Sequence, residues 1–165
     1  KHFGSIWPSR LQIDGVNLGD IWKYQASGEL VAFHKLSQWL TYSLIEPIEE
    51  AGFKVKNVNK LTGLAEYRNG GLIVDMGLIT LKDVQQYSYS HKPDSDLIIE
   101  WRALTVVMLD KIADIVRSTL KFDEQNFPLA KVLEGGTWWA GRRIAATKRA
   151  DSSPPIKLDS DGTVF

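Results

Sequence analysis

The chain has 165 residues, 44% of them hydrophobic and 24% charged, and 20 basic side chains balance 20 acidic ones for a formal net charge of zero. That length is enough for one domain with a sizeable core, and the charge balance excludes a dedicated nucleic-acid binder, whose footprint is strongly basic. The absence of Cys excludes disulfides, thiolate metal sites and a thiol nucleophile, and no apolar run reaches the roughly 18 residues of a membrane helix.

The three His, at positions 2, 34 and 91, are too scattered to suggest a metal site, and neither metal nor cofactor is expected. Position 1 is Lys, and the first residues lack the apolar core of a signal peptide, so the expectation is part of a longer protein.

Residues 1–30 are punctuated by Gly4, Pro8, Gly15, Gly19 and Gly28. Leu11 and Ile13 alternate with polar neighbours, allowing a short strand, and Asp14-Gly15 and Leu18-Gly19-Asp20 are turn signals. The spacing predicts a helix over residues 31–50, with Phe33, Leu36, Leu40, Ser43 and Leu44 on its core face. Pro47 should kink or end it, with Gly52 as the stop. Phe53 to Lys56 alternates like a short strand.

Asn69-Gly70-Gly71 starts a helix with Asn69 as its cap, or else turns between strands; Gly77 reads as a helix stop. Leu78 to Leu81 reads as extended, and residues 82–94 as an exposed loop. Ser95 to Leu120 is the strongest helix, with Leu97, Trp101, Leu104 and Met108 in the core. Its first half is apolar all round, the mark of a buried helix. A last helical segment, Leu129 to Arg149, is weakened by Gly135, Gly136 and Gly141, and Ser152-Ser153-Pro154-Pro155 ends it. The fold class is mainly α with a few short strands, a single helical domain over residues 1–165 built around a central buried helix at about residues 95–120.

Several polar groups stand in apolar contexts. Glu100 and Arg102 lie inside the all-apolar half of the long helix, either as a structural ion pair or with Glu100 facing a pocket as a general acid or base. Glu66-Tyr67-Arg68-Asn69-Gly70-Gly71 is the densest polar cluster: a capped turn, or a helix start where glycines let a ligand approach the backbone. His34, Gln38, Thr41 and Ile45 form a second, mostly polar stripe, either solvated or lining a cavity. Arg142, Arg143, Lys148 and Arg149 complement a helix C-terminus or meet a phosphate. The neighbouring Trp138-Trp139 pair reads as core rather than as a stacking platform.

The segments also match a known pattern. Ile6-Trp7-Pro8, Leu11 through Gly15-Val16-Asn17-Leu18-Gly19-Asp20 and Phe33-His34-Lys35-Leu36-Ser37-Gln38-Trp39-Leu40 resemble the uracil-catabolism family of fungi and bacteria. So do Leu61-Thr62-Gly63-Leu64, Glu66 through Gly71, Glu100-Trp101-Arg102-Ala103-Leu104, Leu133-Glu134-Gly135-Gly136-Thr137-Trp138 and the closing Ser160 through Phe165. Members of that family are longer, and the likeness is to their C-terminal part. The resemblance implies a role in pyrimidine degradation by a route that opens the ring and releases urea.

More distantly, Glu66-Tyr67-Arg68, an apolar segment ending at Gly77, and Glu100-x-Arg102-Ala103 resemble the queuosine-salvage N-glycosidase family. Asn69-Gly70-Gly71 departs from its pattern. That likeness implies a hydrolase of the N-glycosidase type with Glu66 and Glu100 catalytic. Substrate contacts are expected from His34, Gln38, Tyr67, Arg68, Arg102, Arg142 and Arg143. The expected partners are a small nucleoside or nucleotide derivative and the N-terminal part of the same protein, with neither nucleic acid nor membrane, in the cytoplasm. The alternative is a non-catalytic ligand-binding or scaffolding partner of the ring-opening enzyme.

Overall fold

The computed structural model describes residues 11–159, so His2, Ile6-Trp7-Pro8 and Ser160 to Phe165 lie outside the described residues. Two antiparallel hairpins come first. β1 (Gln12–Ile13) pairs with β2 (Val16–Asn17) across Asp14 and Gly15. Both turn residues have positive φ, 50° and 72°, the signature of the tight turn whose twist suits a hairpin. β3 (Ile21–Lys23) pairs with β4 (Leu30–Ala32), with Trp22 opposite Val31. The predicted helix over 31–50 therefore starts late: its first residues belong to β4, and left-handed His34 (φ 49°) turns the chain into α1, Lys35–Glu50.

α1 runs through Pro47 and stops at Ala51-Gly52, as expected. The face it turns inward differs from the prediction. Lys35 is buried and Gln38, Tyr42 and Ile45 are half-buried, while Leu40 and Leu44 are exposed. Hydrophobic periodicity identifies a stripe but not what covers it, and here the inward edge is mixed, with Leu36 beside Lys35 and Gln38, while His34 and Thr41 are exposed. Phe53 to Lys56 has no strand partner, and Phe53 is exposed.

α2 (Tyr67–Asp75) begins two residues before the predicted cap, and Gly77 (φ 74°) follows its end. Its two glycines serve packing. A Cβ at Gly70 would sit 2.6 Å from Thr105 Oγ1 and 2.9 Å from Trp101 Nε1, and one at Gly71 would meet Pro155 at 3.1 Å. Leu78 to Leu81 forms no strand. The loop beyond it holds a 3₁₀ turn (Val84–Ser88) and β5 (Ser90–His91), which pairs in parallel with β6 (Lys157–Leu158).

α3, Asp96–Leu120 with Ser95 as its cap, is the central helix, and the fold is mainly α. Its buried side is Ile98, Ile99, Trp101, Arg102, Thr105, Leu109 and Ala113. Leu104, expected in the core, is 46% exposed, because the true stripe is rotated by about one residue from the predicted one. Two apolar clusters lie along α3. The first gathers Trp22, Val74, Ile98, Ile99, Trp101 and Ile156; the second gathers Leu64, Leu109 and Leu133. The last helical run is α4 (Leu129–Lys131), a π-helical segment (Val132–Trp138) and α5 (Trp139–Lys148). α5 presses on α2 so closely that a Cβ at Gly141 would fall 2.1 Å from the Arg68 carbonyl oxygen. No described helix is long and apolar enough to cross a membrane.

Candidate functional site

The polar residues gather where β3, α1, α2 and α3 meet. Arg102 is fully buried on α3, and burying a guanidinium requires a matched anion. Asp20 supplies it: Nη1 and Nη2 donate to the two carboxylate oxygens at 2.7 and 2.8 Å. Nε donates to the Ala65 carbonyl at 3.3 Å, and the guanidinium lies 4.1 Å over the Phe33 ring. Asp20 also accepts from the Trp22 indole N–H (2.7 Å) and from the Lys35 backbone N–H (3.0 Å). Burial alone would raise its carboxyl pKa, but the Arg102 hydrogen bonds and charge, with Trp22 and Lys35, hold it below the ordinary value. Arg102 is thus a structural residue: its donors go to Asp20 and Ala65, and the expected substrate contact is not what its geometry provides.

That pair fixes the Ala65 backbone, and Glu66 follows as the cap of α2. Its Oε2 accepts from the backbone N–H groups of Arg68 (2.8 Å) and Asn69 (3.1 Å). Burial raises its pKa; the two N–H donors and the nearby Lys35 and Arg68 charges only partly offset this. Asn69, expected as the cap, is buried instead. Its amide oxygen accepts from Thr137 Oγ1 at 2.9 Å, and its amide N–H₂ reaches the Leu64 carbonyl at 3.4 Å.

The inner edge of α1 faces the same segment. Gln38 donates to Thr62 Oγ1 (3.0 Å), leaving its buried Oε1 without a partner, and Tyr42 donates to the Thr62 carbonyl (2.9 Å). Burial, with Asp110 nearby, pushes the Tyr42 hydroxyl up to about 12. The structure therefore brings the Lys35 charge near Glu66 and ties Gln38 and Tyr42 of α1 to Thr62, in the segment that leads into Glu66. His34 stands exposed at the turn into α1.

Glu100 is elsewhere. Two residues before Arg102 on the same helix, it points to the opposite side, is exposed, and accepts a hydrogen bond from the Tyr24 hydroxyl. It borders a cleft of about 320 Å³ lined by Val74, Ile79, Leu81, Trp101 and Ile156, and Glu66 does not line that cleft. Glu66 and Glu100 stand in different surroundings, because the spacing that buries Arg102 beside Ala65 turns Glu100 to the other side of α3.

The remaining predicted contacts are spread out. Arg68 donates to the Ser152 carbonyl (2.6 Å) and lies 4.6 Å over the half-buried Tyr67 ring. Arg142 and Arg143 are exposed and have no ion-pair partner among the described residues. Arg142 stacks on Trp138 and Trp139 at 5.1 and 5.8 Å, and Trp139 is 51% exposed, so this pair is a surface feature rather than core. Asp20, Lys35 and Thr137 were not singled out as site residues from the sequence, and Asn69 only as a helix cap. The usable signal for Asp20 was a lone acid running into Ile21-Trp22 in a chain that buries an Arg.

Residues 1–165 match the model of a family described as "Protein of unknown function (DUF1688)". The chain is 47% identical over 164 residues to "Protein urg3" of Schizosaccharomyces pombe, covering 97% of this chain and 41% of that protein. It is 44% identical over 192 residues to "Uracil catabolism protein 4" of Lachancea kluyveri, covering 99% of this chain and 43% of that protein. The chain thus spans about two fifths of the length of these relatives. No solved structure matches it. With the family model matched from end to end and two such relatives alongside, the chain belongs to the DUF1688 family, the uracil-catabolism family that its motifs resemble.

Proposed function

We propose that this chain acts in uracil degradation and supplies Glu66 as the working carboxylate for hydrolysis of an N-ribosyl bond. The substrate is a ring-opened uracil nucleotide of the ribosylurea type, and urea is released. The observation that carries the reading is the state of Glu66: a half-buried carboxylate with one oxygen held by two backbone N–H groups, its pKa raised by desolvation despite the nearby Lys35 charge. Cleavage develops positive charge on the sugar, and a fixed carboxylate stabilises it. Water adds to the anomeric carbon and passes a proton to Glu66. The electrons of the broken C–N bond leave with the urea nitrogen, which regains a proton as Glu66 is deprotonated again. In this reading Gln38 and His34 face the substrate, Arg142 and Arg143 meet its phosphate, and Glu100 has no chemical step. No step needs a cofactor, and the location is cytoplasmic.

The test uses the full-length protein with ribosylurea and ribosylurea phosphate, assayed for free urea. Glu66→Gln should lower turnover by about 10²–10³ with the melting profile preserved. Undiminished urea release by this variant would falsify the role of Glu66. A second reading, a non-catalytic partner of the ring-opening enzyme, is favoured by the separation of Glu66 from Glu100 and by exposed apolar side chains on α1. Absence of urea from both substrates, with stimulation of the ring-opening enzyme, would decide for it.

A further inference from the structure

α1 is held to the molecule by one edge. Of its 16 residues only Lys35 is buried, and its side-chain ties run from Gln38 and Tyr42 to Thr62. A helix of this length gains most of its stability from packing an apolar face, and here the apolar face is bare. Trp39 is 60% exposed, Leu40 53%, Leu44 44% and Ile48 40%, with Phe53 at 69% just beyond the helix end. Leu40, Leu44 and Ile48 repeat every four residues, and Trp39 widens the same stripe. Isolated exposed apolar residues are ordinary, but a contiguous stripe along a helix marks an interface.

The charges beside the stripe are also uncompensated. Glu49 and Glu50 close α1 at the negative end of its dipole, where no basic residue stands in the last turn. Together with Glu46 they form no ion pair among the described residues. More than half of each matched relative lies outside the region this chain covers, so the family protein has a large further part that must pack somewhere.

We propose that the outer face of α1 docks against that further part of the family protein, which presents an apolar centre to Trp39, Leu40, Leu44 and Ile48 and Lys or Arg side chains to Glu46, Glu49 and Glu50. The inference is independent of the role of Glu66, and its test reads accessibility rather than urea release.

The molecule contains its own control. Trp39 and Trp139 are similarly exposed here, at 60% and 51%. In hydroxyl-radical footprinting of the full-length protein, Trp39 should be oxidised about fivefold more slowly than Trp139, as expected for an interface core that excludes water. Leu44→Glu should restore equal rates. The milder Glu49→Lys/Glu50→Lys variant, which keeps the apolar stripe intact, should raise Trp39 oxidation in the same direction. Equal rates for Trp39 and Trp139 in the unmodified full-length protein would overturn the proposal. Protection that vanishes on dilution to monomers would also overturn it, since a second copy would then be the occupant.

Discussion

At the scale of single residues, the Asp20–Arg102 pair carries the largest local stake. Removing one partner leaves a buried charge without compensation, so Arg102→Ala should cost about 3–5 kcal/mol in urea unfolding. The pH dependence has a definite sign. Asp20 titrates below its ordinary value when folded, so its contribution is fully present above the unfolded carboxylate pKa of about 3.9 and is lost as pH falls through the folded value. Glu66 runs the other way: its raised folded pKa gives a contribution present at acid pH and lost as pH rises through that value. On acidification wild type should therefore gain stability relative to Glu66→Gln. A constant gap between them from neutral pH to about pH 4 would contradict the burial of this carboxylate. Neither environment can be read from sequence spacing, because the groups that create it, Asp20, Lys35 and Ala65, come from separate elements.

At the scale of elements, close helix approach leads to a paired expectation. Gly141→Ala would drive a methyl into the Arg68 backbone and should cost at least about 1–3 kcal/mol, since neither helix can yield cheaply. Gly135→Ala, where a Cβ would meet nothing within 4 Å, should be neutral or slightly stabilising in the same thermal melts. On α3, Leu109→Ala should cost about 2–5 kcal/mol, and Leu104→Ala well under that. The sequence located α3 almost to the residue because Ser95 and a long periodic run define it. It located the later helix too, although not the π segment within it. What it could not assign was facing. On α1, Lys35 and Gln38 turn inward while Leu40 and Leu44 turn outward, since a tertiary network outweighs the preference of the stripe. On α3, Ile98, Arg102 and Leu109 fall among so many apolar neighbours that the buried side has no unique period. In the candidate site, Glu66 was legible as a polar cluster at a helix start, whereas Glu100 looked equivalent to it only because a one-dimensional reading ignores the turn between positions 100 and 102.

At the scale of the whole molecule, zero net charge combines with many exposed apolar side chains, from Trp39 and Phe53 to Val107 and Ile115. Without net repulsion, such surfaces associate. The 165-residue chain on its own should show its largest scattering near pH 7, falling as pH is moved toward about 4.5, where the three His are protonated, carboxylates begin to neutralise and cations outnumber anions. Scattering that stays flat across this range would rule out the charge balance as the controlling factor. The π-helical segment from Val132 to Trp138 has a consequence for chain length. A π turn holds one residue more than the α turn it replaces, so the surplus residue is absorbed within the turn and the residues on either side keep roughly the same angular phase. Leu133 reaches the second apolar cluster from one side of the surplus, while Thr137 and Gly141 meet α2 from the other. Deleting Gly135 would let this turn close as a regular α turn, with Thr137 still directed at Asn69 and Gly141 still under the Arg68 carbonyl. This exposed glycine can therefore be lost as well as substituted, because the turn around it carries the one residue that the helix can spare.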